Sequence, residues 1–384
     1  MREVALYVHV PFCVRKCHYC SFNSVELEDG PSGSQVRLYI EALKREMGIW
    51  GAELSREGRE VATIYLGGET PTSLGTPDLL EILGSLREHF HVRGGIEITM
   101  EANPGTIGEE KLQRLREEGV NRLSIGLQST HEELLKRLGR AHTLSDFERC
   151  FSLARKAGFD NINVDLIFAI PGEAMEHWMG DLAKVTSFGP EHISTYNLTL
   201  EEGTRLWRAV KAGELELPGE DLDCDMYEAA IAFLGEKGYQ HYEISNFARP
   251  GRRCRHNLTY WRSGDYLGIG PGAHSHLEGM RHFNVADLSD YSNRLLAGES
   301  PVGGTEDFSI EREMYDYVMM GLRLLEGLDV DEFERLFGRG FFSVFGEKVA
   351  RLTALGLLEA TRGGIRLTRR GLLLANEVLV ELLA

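Results

Sequence analysis

The first two hundred residues alternate short apolar, β-branched runs with longer stretches in which apolar positions recur every three to four residues. A period near two marks a strand and a period near 3.6 an amphipathic helix, so the alternation predicts repeated strand–helix units around a parallel sheet. Six runs read as strands: residues 4–10, 61–66, 95–101, 122–128, 162–170 and 192–200. Helical patterns at 35–54, 79–90, 109–118, 145–157 and 173–188 fill the intervals, and Gly119 and Gly158 each stand where a helix stops before the next strand. Six parallel strands with right-handed crossovers fit an open barrel or a doubly wound sheet, and in either a ligand meets the carboxyl ends of the strands.

After residue 200 the rhythm changes. A helix is expected at 221–236 and a strand at 240–245, followed by a passage holding Gly268, Gly270 and Gly272. Residues 310–325, 330–337 and 342–355 read as helices, 357–367 as a hairpin turning at Gly363-Gly364, and a last apolar helix starts at Leu372. Helices followed by a small hairpin predict a winged-helix-like carboxyl-terminal domain. The expected division is 1–205 for the core barrel, 206–304 for its extension and 305–384 for the terminal domain.

Composition narrows the functional classes. With 384 residues, 42% apolar and 26% charged, the chain is globular rather than disordered or fibrous. A formal charge of −17 opposes binding to polyphosphate. The wing arginines Arg362, Arg366, Arg369 and Arg370 lie in a segment, 305–384, with ten Lys plus Arg against fourteen Asp plus Glu, so nucleic acid is not an expected partner. No apolar run approaches the roughly 18 residues of a membrane span, and the amino terminus lacks the parts of a signal peptide. A cytoplasmic location is expected.

Of six cysteines, three fall in Cys13-Val-Arg-Lys-Cys17-His-Tyr-Cys20, directly after the first strand. Such crowding does not suit a disulfide framework. Three thiolates can ligate three irons of a four-iron, four-sulfur cluster and leave the fourth iron without a protein ligand. Zinc with His18 as fourth ligand is the alternative, although adjacent ligands at 17 and 18 are awkward and a second cysteine pair is absent. Cys150 and Cys224 read as packing residues on helices, and Cys254, flanked by arginines, as exposed.

The C-x3-C-x2-C run, with the aromatic Tyr19 before its last cysteine, resembles the signature of the radical S-adenosylmethionine (SAM) superfamily. The resemblance extends along the whole chain. It implies a partial (β/α)6 TIM-like barrel of the α/β class, a 4Fe-4S cluster on Cys13, Cys17 and Cys20, and SAM held by its amino and carboxylate groups on the open iron. An electron from the cluster then cleaves SAM to a 5′-deoxyadenosyl radical. Within the superfamily the chain is most similar to the oxygen-independent coproporphyrinogen III oxidase-like family, above all its heme-chaperone branch. Gly67-Gly68-Glu69-Thr70-Pro71 looks like the Gly-rich motif that meets the SAM amino group, but Glu69 stands where Gly is usual. Glu101, Gln128, Arg140 and Asp165 match SAM-contacting positions, Thr199 an adenine-side position, and Tyr7 one beside the methionyl part.

His256-Asn257-Leu-Thr-Tyr260-Trp261 carries an H-N-x-x-Y-W motif typical of the heme-chaperone branch. A neutral imidazole can coordinate heme iron, and Tyr and Trp offer flat surfaces to a macrocycle. The same stretch fits a packed turn with its aromatics in the core. His274, in Gly-Ile-Gly-Pro-Gly-Ala-His, is a second candidate heme ligand. True coproporphyrinogen oxidases resemble C-x3-C-x2-C-x-C and carry an amino-terminal arm before the first strand; here position 22 is Phe22 and six residues precede Tyr7. The resemblance therefore implies a chaperone that binds a cluster and SAM, holds heme and passes it to heme-accepting proteins, among them a transient membrane-protein target, with an electron donor as a further partner. The alternatives are oxidative decarboxylation of coproporphyrinogen and another tetrapyrrole-modifying reaction.

Overall fold

All six expected strands form. They are β1 (Arg2–Val10), β2 (Arg59–Gly68), β3 (Val92–Ala102), β4 (Arg122–Gln128), β5 (Ile162–Phe168) and β6 (His192–Asn197). Each lies parallel to the next in chain order. The computed structural model describes every residue except 1, 23, 28, 307, 308 and 384. Every residue of β4 is buried, as a strand must be when both faces of its sheet are covered.

The crossovers are α1 (Ser34–Arg56), α2 (Thr76–His89), α3 (Glu109–Glu117), α4 (Glu132–Leu138), α5 (Leu144–Lys156) and α6 (Met175–Ser187). Local chemistry sets their limits. At the start of α5 the Thr143 hydroxyl accepts the Asp146 N–H at 3.2 Å while the Asp146 carboxylate accepts the Thr143 N–H at 3.0 Å. Phe147, Cys150, Phe151 and Ala154 then line its buried face at helical spacing. The short α4 has no counterpart among the expected helices, because seven residues span only two turns and leave little periodicity to detect.

Beyond β6 follow α7 (Arg205–Lys211), α8 (Glu220–Glu236), β7 (Gln240–Glu243), β8 (Asn246–Ala248) and α9 (Arg255–Trp261). Next come β9 (Tyr266–Ile269), β10 (His274–Leu277), β11 (Met280–Asn284), α10 (Leu288–Leu296) and β12 (Val302–Glu306). The strands join one twelve-stranded sheet in the order β12-β11-β10-β9-β1-β2-β3-β4-β5-β6-β8-β7. Pairing thus runs unbroken across residue 205. The Gly-rich passage is more than a loop: β9 lies parallel to β1 and leads into an antiparallel margin. A Cβ on Gly268 would lie 2.2 Å from the His274 carbonyl oxygen, so the fold-back needs glycine there.

Cys254 corrects an expectation. It is fully buried, its sulfur 3.5 Å from a Glu97 carboxylate oxygen. The flanking arginines face outward at the start of a helix while the thiol turns into the barrel. Glu97 also accepts the N–H groups of Arg255 and His256, each at 3.1 Å, and so caps α9 from within. Helix α9 closes the amino-terminal end of the barrel.

The terminal domain comprises α11 (Ile310–Gly321), β13 (Leu328–Asp329), α12 (Val330–Phe337), α13 (Phe341–Ala354), β14 (Leu358–Ala360), β15 (Gly364–Leu367), α14 (Arg369–Leu373) and α15 (Ala375–Leu383). The expected hairpin forms from β14 and β15, and β13 adds a third strand beside β15. Its core is aromatic. Phe333 is fully buried and its ring meets those of Tyr317, Phe337, Phe341 and Phe345. Phe333→Ala is expected to destabilise this domain by about 3–5 kcal/mol through lost burial and a residual cavity, measured as a shift in its urea unfolding transition.

Candidate functional site

The parallel sheet brings the carboxyl ends of its strands to one rim, and the thiol loop leaves β1 there. Cys13 is buried, whereas Cys17 and Cys20 are partly exposed. The loop docks on the carboxyl end of α4. The His18 N–H donates to the Leu138 carbonyl at 2.9 Å, and its Nδ1 lies 2.9 Å from the Arg137 carbonyl. These bonds satisfy carbonyls that a helix end leaves open. They also seat the His18 ring on α4 and leave its Nε2 buried without a hydrogen-bond partner among the described residues.

A continuous polar chain links two of the thiols. The Cys13 sulfur is 3.1 Å from the Thr70 hydroxyl, and the Asn103 amide nitrogen donates to that hydroxyl at 2.7 Å. The Asn103 carbonyl oxygen accepts from Arg140 Nη2 at 2.5 Å. Arg140 Nη2 also reaches the Gly126 carbonyl at 2.7 Å, and Nη1 donates to the Cys17 sulfur at 3.3 Å. Burial opposes the charge on Arg140, but Tyr19 and Cys17 outweigh it and hold the guanidinium above its ordinary pKa. Asn103 is a site residue that sequence reasoning missed. Its signal was available: a polar side chain immediately beyond a strand end, in an Asn-Pro turn.

The Gly-rich turn supplies a second wall. Gly68 has φ of +109°, and a Cβ there would lie 2.7 Å from the His9 ring, so this turn requires glycine. Glu69 points toward the thiols, with Oε2 3.8 Å from the Cys20 sulfur. Glu101 accepts the Tyr65 hydroxyl at 2.7 Å, and burial pushes its carboxyl up to about 8. Tyr7 bonds His9 Nδ1 at 3.0 Å, and its ring lies 6.3 Å from that of Tyr65. Burial pushes the Cys13 thiol up to about 11 and the Cys20 thiol up to about 12.

Gln128 ends β4 with φ of +73°, and its amide lies beside Gly126 near Asn103 and Arg140. Asp165, half-buried in the barrel, accepts from the Ser124 hydroxyl at 2.9 Å and the Asn163 amide at 2.8 Å; desolvation raises its pKa. Thr199 is exposed on the loop after β6. Glu69, Asn103, Gln128 and Arg140 therefore share one rim with the thiols, whereas Asp165 sits in the middle of β5 beside Ser124 and Asn163. The donor set suits a metal cluster and a zwitterionic ligand. Three thiols lie on one loop, a cation and a carboxylate flank them, and Arg140 Nε and Glu69 Oε1 are buried without a hydrogen-bond partner among the described residues.

The H-N-x-x-Y-W motif lies elsewhere, on α9 at the barrel floor. His256 is buried, with Nδ1 2.9 Å from the Thr63 hydroxyl and Nε2 2.8 Å from the Tyr260 hydroxyl. Its ring stacks on Tyr65 at 5.1 Å. Asn257, Tyr260 and Trp261 are half-buried, and Arg323 lies 4.5 Å above the Trp261 ring. His274 is exposed on β10, its ring 5.3 Å from Phe283.

A family model of the radical SAM superfamily matches residues 7–185, and one of the HemN C-terminal domain matches residues 309–374. Among curated proteins, the chain is 35% identical to the heme chaperone HemW of Bacillus subtilis over 97% of both chains. It is 36% identical to that of Lactococcus lactis over 98% of this chain and 96% of the other. The Escherichia coli protein of the same name is 40% identical over 71% of this chain and 69% of its own. The solved structure of coproporphyrinogen III oxidase (HemN) from Escherichia coli, described as a radical SAM enzyme, superposes with a TM-score of 0.85 at 26% identity, covering 99% of this chain and 90% of that one. A radical SAM barrel with a thiol trio at its rim, a HemN-type terminal domain and full-length kinship to these chaperones places the chain in the HemW family of the radical SAM superfamily.

Proposed function

We propose that the protein is a heme chaperone: it carries a 4Fe-4S cluster on Cys13, Cys17 and Cys20, binds SAM at the same rim, and holds heme for transfer to hemoprotein acceptors. The observation that carries this reading is kinship over 97% of both chains with a relative named as a heme chaperone. When bound, the cluster supplies an electron and an open coordination position. The chain's own residues do the rest. Arg140 places a fixed positive charge at the thiols, suited to the SAM carboxylate. The backbone around Gly67 and Gly68 leaves room for a close approach by the amino group, with Glu69 beside it. With SAM bound, Glu101, Gln128 and Asp165 would offer hydrogen bonds to the nucleoside, Tyr7 and Tyr19 would flank the methionyl part, and Thr199 would serve the adenine side.

No helix among the described residues is long and apolar enough to cross a membrane. We further propose a cytoplasmic location, transient contact with membrane-bound acceptors and a separate electron donor, as the family resemblance implies.

A second reading, oxygen-independent oxidation of coproporphyrinogen III, is favoured by the full-length structural likeness to the oxidase. Position 22 weighs against it. Phe22 is 61% exposed where the oxidase pattern has a fourth cysteine. The two readings separate in one comparison. Anaerobically prepared protein should take up hemin one to one and pass it to an apo-hemoprotein, and should form no protoporphyrinogen from coproporphyrinogen with SAM and a reductant. Formation of protoporphyrinogen would establish the enzyme.

The cluster and its supports can be tested separately. Cys17→Ser should abolish the visible absorption of the reconstituted cluster, because two remaining thiolates leave a second iron open. Asn103→Ala should cost about 1–3 kcal/mol of unfolding free energy in iron-free protein by leaving Thr70 and Arg140 short of a partner. Asn103→Asp, which keeps the acceptor for Arg140, should recover part of that loss in the same urea titration.

A further inference from the structure

The polar chain at the rim has a direction, and the chemistry of its own side chains fixes it. A guanidinium only donates, so the Asn103 atom 2.5 Å from Arg140 Nη2 is the carbonyl oxygen, and the amide nitrogen turns to Thr70. An amide nitrogen also only donates. The Thr70 hydroxyl therefore accepts from it at 2.7 Å and keeps its own proton for the Cys13 sulfur, 3.1 Å away. Thr70 is 2% exposed and Cys13 7%, so bulk water does not compete for that proton. On its other side Asn103 tethers Arg140, whose Nη1 donates to the Cys17 sulfur at 3.3 Å. The turn that carries Asn103 is fixed as well. The Thr106 hydroxyl donates to the Asn103 carbonyl at 2.7 Å, and the Lys111 ammonium donates to the carbonyls of Thr72 at 2.8 Å and Thr106 at 3.0 Å.

We propose that Asn103 is a positioning residue that sets the reduction potential of the cluster, by aiming the Thr70 hydroxyl at Cys13 and holding the Arg140 guanidinium at Cys17. The inference rests on the proposed cluster and names what tunes it. Reduction moves one electron from an external donor, which is oxidised by one electron, and makes the iron–sulfur unit more negative by one charge. Hydrogen bonds and a fixed cation at the cysteine sulfurs favour that more negative form, and hydrogen bonds to sulfur are among the features that set the potentials of such centres. Their effect is larger in a poorly solvated place than in water. Neither Thr70 nor Arg140 contributes a thiolate, so losing either bond leaves three ligands in place and makes reduction harder.

The place requires a side chain with two unlike ends, one that accepts from a cation and one that donates to a hydroxyl. An amide has both; a carboxylate held ionised by Arg140 has acceptors only, and alanine has neither. With Asp at position 103 the Arg140 contact survives, but the Thr70 hydroxyl turns its proton to the carboxylate and Cys13 loses its donor. Support and aim therefore separate. A residue that merely holds the rim together would be replaced by Asp with part of its stability regained and the potential unchanged; a residue that aims Thr70 would not.

The test is a redox titration of the reconstituted full-length protein without SAM, with the reduced cluster followed by electron paramagnetic resonance. Thr70→Val, which keeps the side-chain shape and removes the hydroxyl, should disfavour reduction at least tenfold, about 59 mV for one electron, and Thr70→Ser should restore the wild-type midpoint. Asn103→Asp should have a midpoint at least as low as that of Thr70→Val. In the double variant the two shifts should sum to less than their separate values, because the hydroxyl that Asn103 aims is already gone. Strict additivity would mean that Asn103→Asp acts by its charge alone and would overturn the aiming role. Visible absorption of the cluster is the control for each variant; if Thr70→Val takes up no cluster, Asn103→Asp against wild type decides. Midpoints equal to wild type in the variants that hold the cluster would overturn the proposal and leave the functional reading standing. If wild type itself takes up no cluster, that reading fails and the inference falls with it.

Discussion

The rim is organised around the carboxyl end of α4. A helix ends with carbonyls that lack intrahelical partners, and here they receive the thiol loop: the His18 N–H bonds Leu138, and its ring meets Arg137. The same helix end fixes Arg140, whose backbone N–H returns to the Leu135 carbonyl at 2.9 Å through the left-handed Gly139. One helix terminus therefore sets both the sulfurs and the cation that faces them. A buried guanidinium is tolerable only when its donors are matched, and Arg140 finds Asn103, Gly126 and Cys17. The position of the thiols is thus coupled to β3, which leads into Asn103, and to β4, which carries Gly126. Moving any of these shifts a charged group in a poorly solvated place.

What the sequence revealed follows from how strongly each feature writes itself into local pattern. The six parallel strands were legible because each is a run of apolar, β-branched residues bounded by helices. The thiol trio and the strand-end polar residues were legible because three cysteines within eight positions, and carboxylates or amides at the ends of apolar strands, have few structural explanations. Features made by tertiary contact were not. The strand β9 has only four residues and a central glycine, and becomes a strand because β1 offers it an edge. Cys254 appeared exposed between arginines because nothing local reveals that Glu97, 157 positions away, caps the helix that follows it. Asn103 occupies an ordinary turn signal, and only the fold brings it between Thr70 and Arg140.

A column of packed, hydrogen-bonded side chains stands between the two ends of the barrel. From the floor, Tyr260 bonds His256, His256 stacks on Tyr65, and Tyr65 donates to Glu101, which lies against the Gly67–Gly68 turn. Burial keeps each of these groups neutral near pH 7: it lowers His256 to about 3, raises Glu101 to about 8 and raises both tyrosines. A column of neutral, mutually bonded side chains fills the interior without an uncompensated charge. It is therefore a packed core that separates the ends, and an imidazole within it serves the column first.

Helix periodicity explains how one short motif faces both the interior and the floor of the barrel. On α9, residues four apart lie on the same side, so His256 and Tyr260 stack inward and bond one another. The next residue is turned by about 100°, and Trp261 accordingly emerges toward the floor, where Arg323 covers one face of its ring. A histidine and a tryptophan five residues apart on such a helix point about 140° away from one another. The motif therefore divides: its histidine anchors the helix in the barrel, and its tryptophan is presented outward.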